Sequence, residues 1–298
     1  MTKKAYNKVI AIVGPTSSGK TEWAKRIAEK FEGRVISVDS RQIYKGMDIG
    51  TAKDKTFKQD LIDIVEPVEN FTLVDYQRLA NQLINQYLTI KTLPVLAGGT
   101  GLYLNAVLYG YVIPGVQKES KVLREHLEKL SSEELVVKLK KIDPKAALKI
   151  DPRNKRRLIR AIEVSLLAGK PFSAEAKKIK PPFQSLIIGI KTDRDTLYSK
   201  IDARVEQMIK NGLVEEVRNL VFKYGQNVSA FNTMGYKEII DYLNGRIGLR
   251  EAIAKIKLNT HDYVRRQDTW FKKDKNIKWV SRYEEAEKLV NRFLKSSK

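Results

Sequence analysis

The 298-residue chain contains no cysteine. That absence removes a disulfide-built secreted fold, a thiolate-ligated zinc or iron–sulfur centre and a cysteine nucleophile together, and it suits a reducing, cytoplasmic home. Histidine is nearly as scarce. His126 and His261 are the only two, too far apart in sequence to argue for an imidazole metal site or a triad. No apolar run approaches the roughly 18 residues that a membrane helix needs. Residues 1–8 lead straight into a short apolar segment and a glycine loop with no cleavage site, so no membrane partner and no export are expected. Acidic residues are the remaining deficit: 35 Asp and Glu stand against 56 Lys and Arg, a net charge of +21. An imbalance of that size points to a polyanionic partner. With 42% hydrophobic residues the chain buries a full core, which excludes a disordered protein.

What is present reads as alternating strands and helices. Residues 9–13 form a β-branched apolar run closed by Gly14 and Pro15, and residues 21–31 follow with Trp23, Ala24, Ile27, Ala28 and Phe31 at helical spacing. Residues 35–38, 93–97 and 186–190 are further continuous apolar runs, and a helix is expected over 72–90. From Leu197 the pattern is helical except for a late strand at 277–280. Strands without polar alternation, separated by helices, predict a parallel sheet covered on both faces, with ligands at its carboxyl edge. Between 114 and 185 only helices are signalled. Ser131 and Glu134 form a capping box, while Asp143-Pro144 and Asp151-Pro152 each pair an N-cap with a proline at the first helical position. The expected organisation is a core of residues 1–113 and 186–298 and an all-helical insertion, 114–185, closed by the stiff Lys180-Pro181-Pro182. The insertion is the most charge-dense part, with 18 basic and nine acidic residues.

Gly14-Pro15-Thr16-Ser17-Ser18-Gly19-Lys20-Thr21 fits G-x-x-x-x-G-K-[ST] and stands between a predicted strand and helix, as a P-loop must. The fold class is therefore α/β, a P-loop NTPase-like parallel sheet flanked by helices. Backbone N–H groups of such a loop wrap linked phosphates at a helix N-terminus, Lys20 adds a positive charge, and the Thr21 hydroxyl is a ligand for Mg²⁺. Asp39 ends the next strand and is either an indirect Mg²⁺ partner or a substrate-binding base. Arg41, Gln42 and Tyr44 follow it, where a second substrate would lie. Gly98-Gly99-Thr100-Gly101 ends another strand, so two ligands are expected in one cleft. Arg153, Arg156, Arg157 and Arg160 fall at i, i+3, i+4 and i+7 of a helix whose other face carries Leu158, Ile159 and Ile162. Guanidinium groups in a row repel one another and suit phosphate oxygens, the alternative being a solvated face. Arg204, Arg265 and Arg266 are candidates to close on phosphates, the alternative being ordinary salt-bridged helices. A P-loop identifies a polyphosphate and not a reaction. An ATP-using small-molecule or nucleotide kinase with a lid-like insertion stays open on the motifs alone, as does an RNA-binding NTPase switch.

The blocks GPTSSGKT, SVDSRQIYKGMDIGTAK, LIDIVEP, LAGGTGLY, RRLIRAIEV, GL-x-EEV-x-NL, TMGYKEI and RRQDTWF, in that order, resemble the tRNA dimethylallyltransferase (tRNA isopentenyltransferase) family over roughly residues 9–280. The resemblance implies transfer of the dimethylallyl group of dimethylallyl diphosphate to N6 of the adenosine 3′ of the anticodon, in tRNAs reading codons that begin with U. By the same resemblance Asp39, Thr21 and Arg204 are catalytic, Gly14, Pro15, Thr16, Ser17, Ser18, Gly19, Lys20 and Thr21 bind diphosphate, and Thr21 holds Mg²⁺. Asp39, Ser40, Arg41, Gln42, Thr100, Arg124, Arg156, Arg157, Leu158, Ile159 and Arg160 would meet tRNA, and the enzyme would act as a monomer. The sequence departs from the family pattern at Gln59 and Asp60, where histidine is expected, and at His261, where arginine is expected. The zinc-finger extension of eukaryotic members cannot exist without cysteine, so the resemblance is to the bacterial type.

Overall fold

A computed structural model of the chain describes residues 7–112, 121–175 and 179–296. Residue 114, where the insertion was expected to begin, lies outside them. The strand β1 (Lys8–Val13) is buried at all six positions, which is why the sequence there shows no polar alternation. Its one charged residue, Lys8, is 8% exposed and donates to the carbonyls of Phe293 at 2.7 Å and Ser296 at 2.6 Å, capping the last turn of the C-terminal helix. The P-loop then feeds α1 (Lys20–Lys30), followed by β2 (Gly33–Ser37), a two-residue β3 (Gln59–Asp60), α2 (Leu73–Thr89), β4 (Leu93–Gly98) and α3 (Gly101–Leu108). The helices α4 (Lys121–Lys129), α5 (Ser132–Ile142), α6 (Pro144–Lys149), α7 (Lys155–Ala168) and α8 (Phe172–Glu175) come next. The chain returns through β5 (Gln184–Ile190), α9 (Arg194–Lys210), α10 (Leu213–Tyr224), α11 (Tyr236–Leu243), α12 (Leu249–Lys272), β6 (Ile277–Val280) and α13 (Tyr283–Lys295).

All pairings in the six-stranded sheet are parallel, in the order β3-β2-β4-β1-β5-β6. The register aligns the carboxyl ends: Val13 pairs with Gly98, Ser37 with Ala97 and Ile190 with Val280. The loops after β1, β2 and β4 therefore open on one edge. The expected strands are all present. β3 was not foreseen, because a two-residue strand leaves no periodic signal; it occupies Gln59 and Asp60, two of the positions that depart from the family pattern.

Two compact units result, Met1–Leu104 with Pro182–Lys298, and Asn105–Pro181. Both boundaries fall earlier than the expected 114 and 185. Within the second unit Leu127, Leu135, Leu139, Leu158, Ala161 and Ile162 form a core without exposed surface. The capping box is made, Glu134 N donating to Ser131 Oγ at 3.2 Å and Ser131 N to Glu134 Oε2 at 2.7 Å. Asp143 caps α6 with Pro144 in its first turn, and also accepts from Ser173 N at 2.7 Å.

Asp151-Pro152 corrects the sequence expectation: no helix starts there. The Asp151 carboxylate instead accepts from Arg153 N at 3.0 Å and from its guanidinium, and α7 begins at Lys155 under Asn154, which accepts from Arg157 N. An Asx turn satisfied by the next arginine competes with the cap and wins. Arg153 thus precedes the helix, leaving a stripe of Arg156, Arg157 and Arg160.

Leu158 and Ile159, expected to meet tRNA, are 0% and 5% exposed in the core of this unit, so their side chains serve packing. Leu158→Ala is expected to cost about 2 to 5 kcal/mol of stability, as a buried leucine truncated into a cavity does, whereas Arg156→Ala should leave stability within about 0.5 kcal/mol. Urea unfolding of both variants checks this, and equal midpoints would disprove the assignment of faces.

Candidate active site

The P-loop wraps the N-terminus of α1. Gly19 is its cap residue in left-handed geometry at φ +89°, and no side chain caps the helix, so the first backbone N–H groups and the positive end of the dipole point into the loop unclaimed. Ser17 is held at φ +63°, a strained conformation for a serine. The hydroxyls of Ser17 and Ser18 are buried without a hydrogen-bond partner. Ser17 lines both site cavities, so its hydroxyl is a donor that a bound anion would satisfy, whereas Ser18 Oγ lies against Gly14 and borders neither cavity. Lys20 turns its ammonium inward to donate to Pro15 O at 2.6 Å, and burial, with Arg204 nearby, brings its pKa down to about 7 although Asp39 opposes the shift.

Asp39 follows β2. Its Oδ1 accepts from Arg41 N at 2.8 Å and Gln42 N at 3.4 Å, while Oδ2 takes no hydrogen bond among the described residues. One oxygen thus fixes the carboxylate and the other is available to a ligand. The loop after β4 crosses it closely: Thr100 N donates to Val38 O at 3.1 Å and Ser40 N to Thr100 Oγ1 at 3.1 Å. A Cβ on Gly98 would sit 2.1 Å from Val38 O, so only glycine permits this approach.

The helix α12 closes the site from far along the chain. Gln267, 5% exposed, accepts from Thr16 N at 2.8 Å and donates to Gly99 O at 3.0 Å, clipping the two glycine loops together. Tyr263 lies beside it with its phenol pushed up to about 12 by burial and by Asp39. Arg204 reaches in from α9, its pKa lowered by burial against the opposing pull of Asp39.

Two cavities meet here, sharing Thr16, Ser17, Asp39, Thr51 and Arg204. One, of about 410 Å³, is polar and includes Lys20, Thr21, Gln42 and Gly99. The other, of about 340 Å³, adds Ile201, Val205, Met208, Ile256, Tyr263 and Arg266. A larger cavity of about 530 Å³ behind Pro15 reaches none of Lys20, Asp39 or Arg204 and lies outside this chemistry. Among the described residues no cluster of three or more His, Asp or Glu side chains could hold a metal alone. A single threonine hydroxyl, Thr21, beside an anion cradle would suit Mg²⁺ only if the ion came with its phosphate ligand.

The structure thus gathers the whole loop 14–21 with Asp39, Ser40, Arg41, Gln42, Thr100 and Arg204 in the first unit. Gln59 borders the polar cavity, and Asp60 accepts from Tyr87 OH at 2.6 Å. His261 stacks on Tyr198 at 4.0 Å, with Nε2 2.9 Å from Asp202 Oδ1 but not aligned for a hydrogen bond. In the second unit Arg124 forms a two-pronged pair with Glu163 at 2.7 and 2.8 Å, and Arg160 stands 3.8 Å from the same carboxylate. Arg156 and Arg157 are exposed. Sequence reasoning missed Gln267, whose only signal was its place inside the RRQDTWF block, and Tyr263, which stands two residues ahead of that block.

A phosphate-binding loop sharing a cleft with a carboxylate that keeps one oxygen free defines the site of a P-loop enzyme. Residues 42–274 match the family described as IPP transferase and residues 7–63 that described as Isopentenyl transferase. The chain belongs to the IPP transferase family. A tRNA dimethylallyltransferase of Thermoanaerobacter sp. (strain X514) is 43% identical over 96% of this chain and 97% of its own length. That of Geobacillus thermodenitrificans is 42% identical over 91% and 90%. The crystal structure of a tRNA isopentenylpyrophosphate transferase from Bacillus halodurans matches with a TM-score of 0.72 at 38% identity, covering 96% of this chain and 95% of that one. A eukaryotic dimethylallyltransferase described as acting on tRNA matches at 0.77 and 27% identity, covering 88% and 69%.

Because the folded pKa of Lys20 lies below its ordinary value, its charge costs stability below about pH 7, and that cost fades as pH rises towards 10.5. At pH 8, above that lowered value, an anion entering the loop is expected to draw a proton onto Lys20. Inorganic diphosphate binding at pH 8 is expected to take up more protons in the wild type than in Lys20→Arg, whose guanidinium does not titrate. Titration calorimetry in two buffers of different ionisation enthalpy reads the difference. Equal proton counts would show that Lys20 is already charged in the free protein.

Proposed function

We propose that the protein transfers the dimethylallyl group of dimethylallyl diphosphate to N6 of the adenosine immediately 3′ of the anticodon, in tRNAs reading codons that begin with U. The observation that carries this is the placing of Asp39, fixed by one oxygen and open at the other, across a shared cavity from the P-loop and Arg204. Diphosphate is the anion such a loop holds when no third phosphate is needed. Lys20, Arg204, the Ser17 hydroxyl and the backbone of the 14–21 loop hold it and offset the charge that develops as the allylic C–O bond breaks. Mg²⁺, held by Thr21 with the diphosphate, would offset charge on the leaving group. The adenine amine attacks the allylic carbon and its proton passes to Asp39. To enter the cavity the base must leave its stack in the anticodon loop, and Ser40, Arg41, Gln42 and Thr100 line its approach. Arg124, Arg156, Arg157 and Arg160 are the tRNA-binding set of the second unit. The absence of cysteine supports a cytoplasmic place, and the enzyme is proposed to act as a monomer.

The direct test is mass spectrometry of nucleosides from unmodified tRNA incubated with the protein, Mg²⁺ and dimethylallyl diphosphate. A mass gain on the adenosine 3′ of the anticodon is expected, and no gain on any nucleoside would refute the activity. Asp39→Ala should fold and bind tRNA yet lose about 10² to 10⁴ in turnover, the usual scale of general-base help; turnover equal to wild type would remove Asp39 from the chemistry.

Replacing Arg156, Arg157 and Arg160 together by Gln should weaken tRNA binding strongly at moderate salt. The slope of log K against log salt should flatten by about 2 to 3, since each phosphate contact releases counterions. Diphosphate affinity should not change. A triple variant with the wild-type slope and affinity would leave the stripe as a solvated helix face.

A further inference from the structure

Glu216, in the GL-x-EEV block, takes no part in the chemistry above, yet its carboxylate is saturated with donors. Oε2 accepts from Asp48 N at 3.0 Å and Ile49 N at 2.7 Å, and Oε1 accepts from Gly50 N at 3.1 Å and from Tyr236 OH at 2.6 Å. Three successive backbone N–H groups converging on one carboxylate form an anion nest, and here the anion is a side chain of α10. Tyr236 is fully buried, and burial with Glu216 beside it raises its phenol far above the ordinary value, so the hydroxyl remains a donor. Its ring fills the space over Gly50, where a Cβ would lie 2.4 Å away.

From the clamped turn a short run of chain and hydrogen bonds leads to the site. Gly50 and Thr51 line the cavity that holds Asp39. Thr51 O accepts from Gln42 Nε2 at 3.2 Å, Gln42 Oε1 accepts from Ser37 Oγ at 3.1 Å, and Gln42 N donates to Asp39 Oδ1. Next to the turn Ala52 stands at φ +47°, a strained value for alanine that persists only when its surroundings hold it. Loops that carry catalytic groups need such outside support, since a misplacement of about 1 Å costs about 10² in rate.

We infer that Glu216, with Tyr236, is a positioning residue that sets the Asp39 carboxylate through the 48–51 turn and Gln42; this rests on the proposed transfer reaction for its kinetic expression. Among the described residues no bond links Glu216 to the P-loop, so the effect should fall on turnover and not on diphosphate binding.

The test uses Glu216→Ala, Glu216→Gln and Tyr236→Phe in the full chain, assayed well below their melting temperatures. Glu216→Ala is expected to lower kcat about 10- to 100-fold, Glu216→Gln nearly as much because its amide faces donors, and Tyr236→Phe about threefold, with KM for dimethylallyl diphosphate within about threefold throughout. In an Asp39→Asn background Glu216→Ala should cost almost nothing further, since the group it positions is gone. A purely structural role would lower the melting temperature and leave kcat of the folded enzyme unchanged, or would cost the same in both backgrounds; either result overturns the inference. Amide exchange supplies a readout independent of activity. Glu216→Ala should speed exchange at residues 48–52 and also at 41–42, while 14–21 keep their rates. Faster exchange confined to 48–50 overturns the relay even if the wild type modifies tRNA, whereas a wild type that modifies no tRNA but shows the spread to 41–42 overturns the reaction and leaves the relay standing.

Discussion

Lys20 and Arg204 share one cleft with Asp39, and both cations are held below their ordinary pKa by burial. Two desolvated positive groups beside an uncapped helix N-terminus are costly without an anion. The buried hydroxyl of Ser17, which lines the cleft without a partner, adds to the same deficit. A site in this condition is complementary to a ligand with several negative oxygens, and the remaining architecture can be understood as what keeps that cleft open and correctly shaped. Asp39 is too little to neutralise it, since its Oδ1 is already committed to the backbone of Arg41 and Gln42.

The sheet supplies the first layer of that support through register. Val13, Ser37 and Gly98 end in line, so the P-loop, the Asp39 turn and the second glycine loop leave at the same edge. Register alone does not fix loops, and two long-range side chains do. Gln267 ties Thr16 to Gly99, and Glu216 ties the 48–50 turn to α10 and Tyr236. Each satisfies backbone groups that would otherwise be half-buried and unpaired, which makes the loops part of the rigid fold.

Strands, the P-loop and Asp39 were legible because each leaves a local pattern: continuous apolar runs for β1, β4 and β5, glycine spacing for the loop, and a carboxylate at a strand end. Gln267 and Glu216 were not, since a glutamine on a helix or a glutamate in an acidic first turn looks the same whether it faces water or a loop hundreds of residues away. The Asp151-Pro152 start failed for a related reason. The cap pattern was real, yet Arg153 offered the same carboxylate a nearer set of donors, and Asn154 took over as cap. The blocks that the family resemblance rests on did include both missed residues, because order along the chain keeps a record of contacts that local periodicity does not.

The arginines of the second unit show why net charge of +21 is a poor guide to binding until partners are assigned. Glu163 is 5% exposed, and a buried carboxylate persists only when paired. Arg124 meets it with both prongs and Arg160 stands near it, so these two guanidinium groups are oriented and partly neutralised within the unit. Arg153 is likewise spent on Asp151. Arg156 and Arg157, exposed on the first turn of α7, make no ion pair among the described residues, and Asn154 already caps that turn. They also sit at the positive end of the helix dipole, where added cations are unfavourable unless an anion approaches from outside. The same logic that governs Lys20 and Arg204 therefore applies at larger scale. Positive charge is left uncompensated at Arg156 and Arg157, where a phosphate can meet it, while at Arg124 and Arg160 the Glu163 carboxylate fixes the direction in which the guanidinium groups are presented.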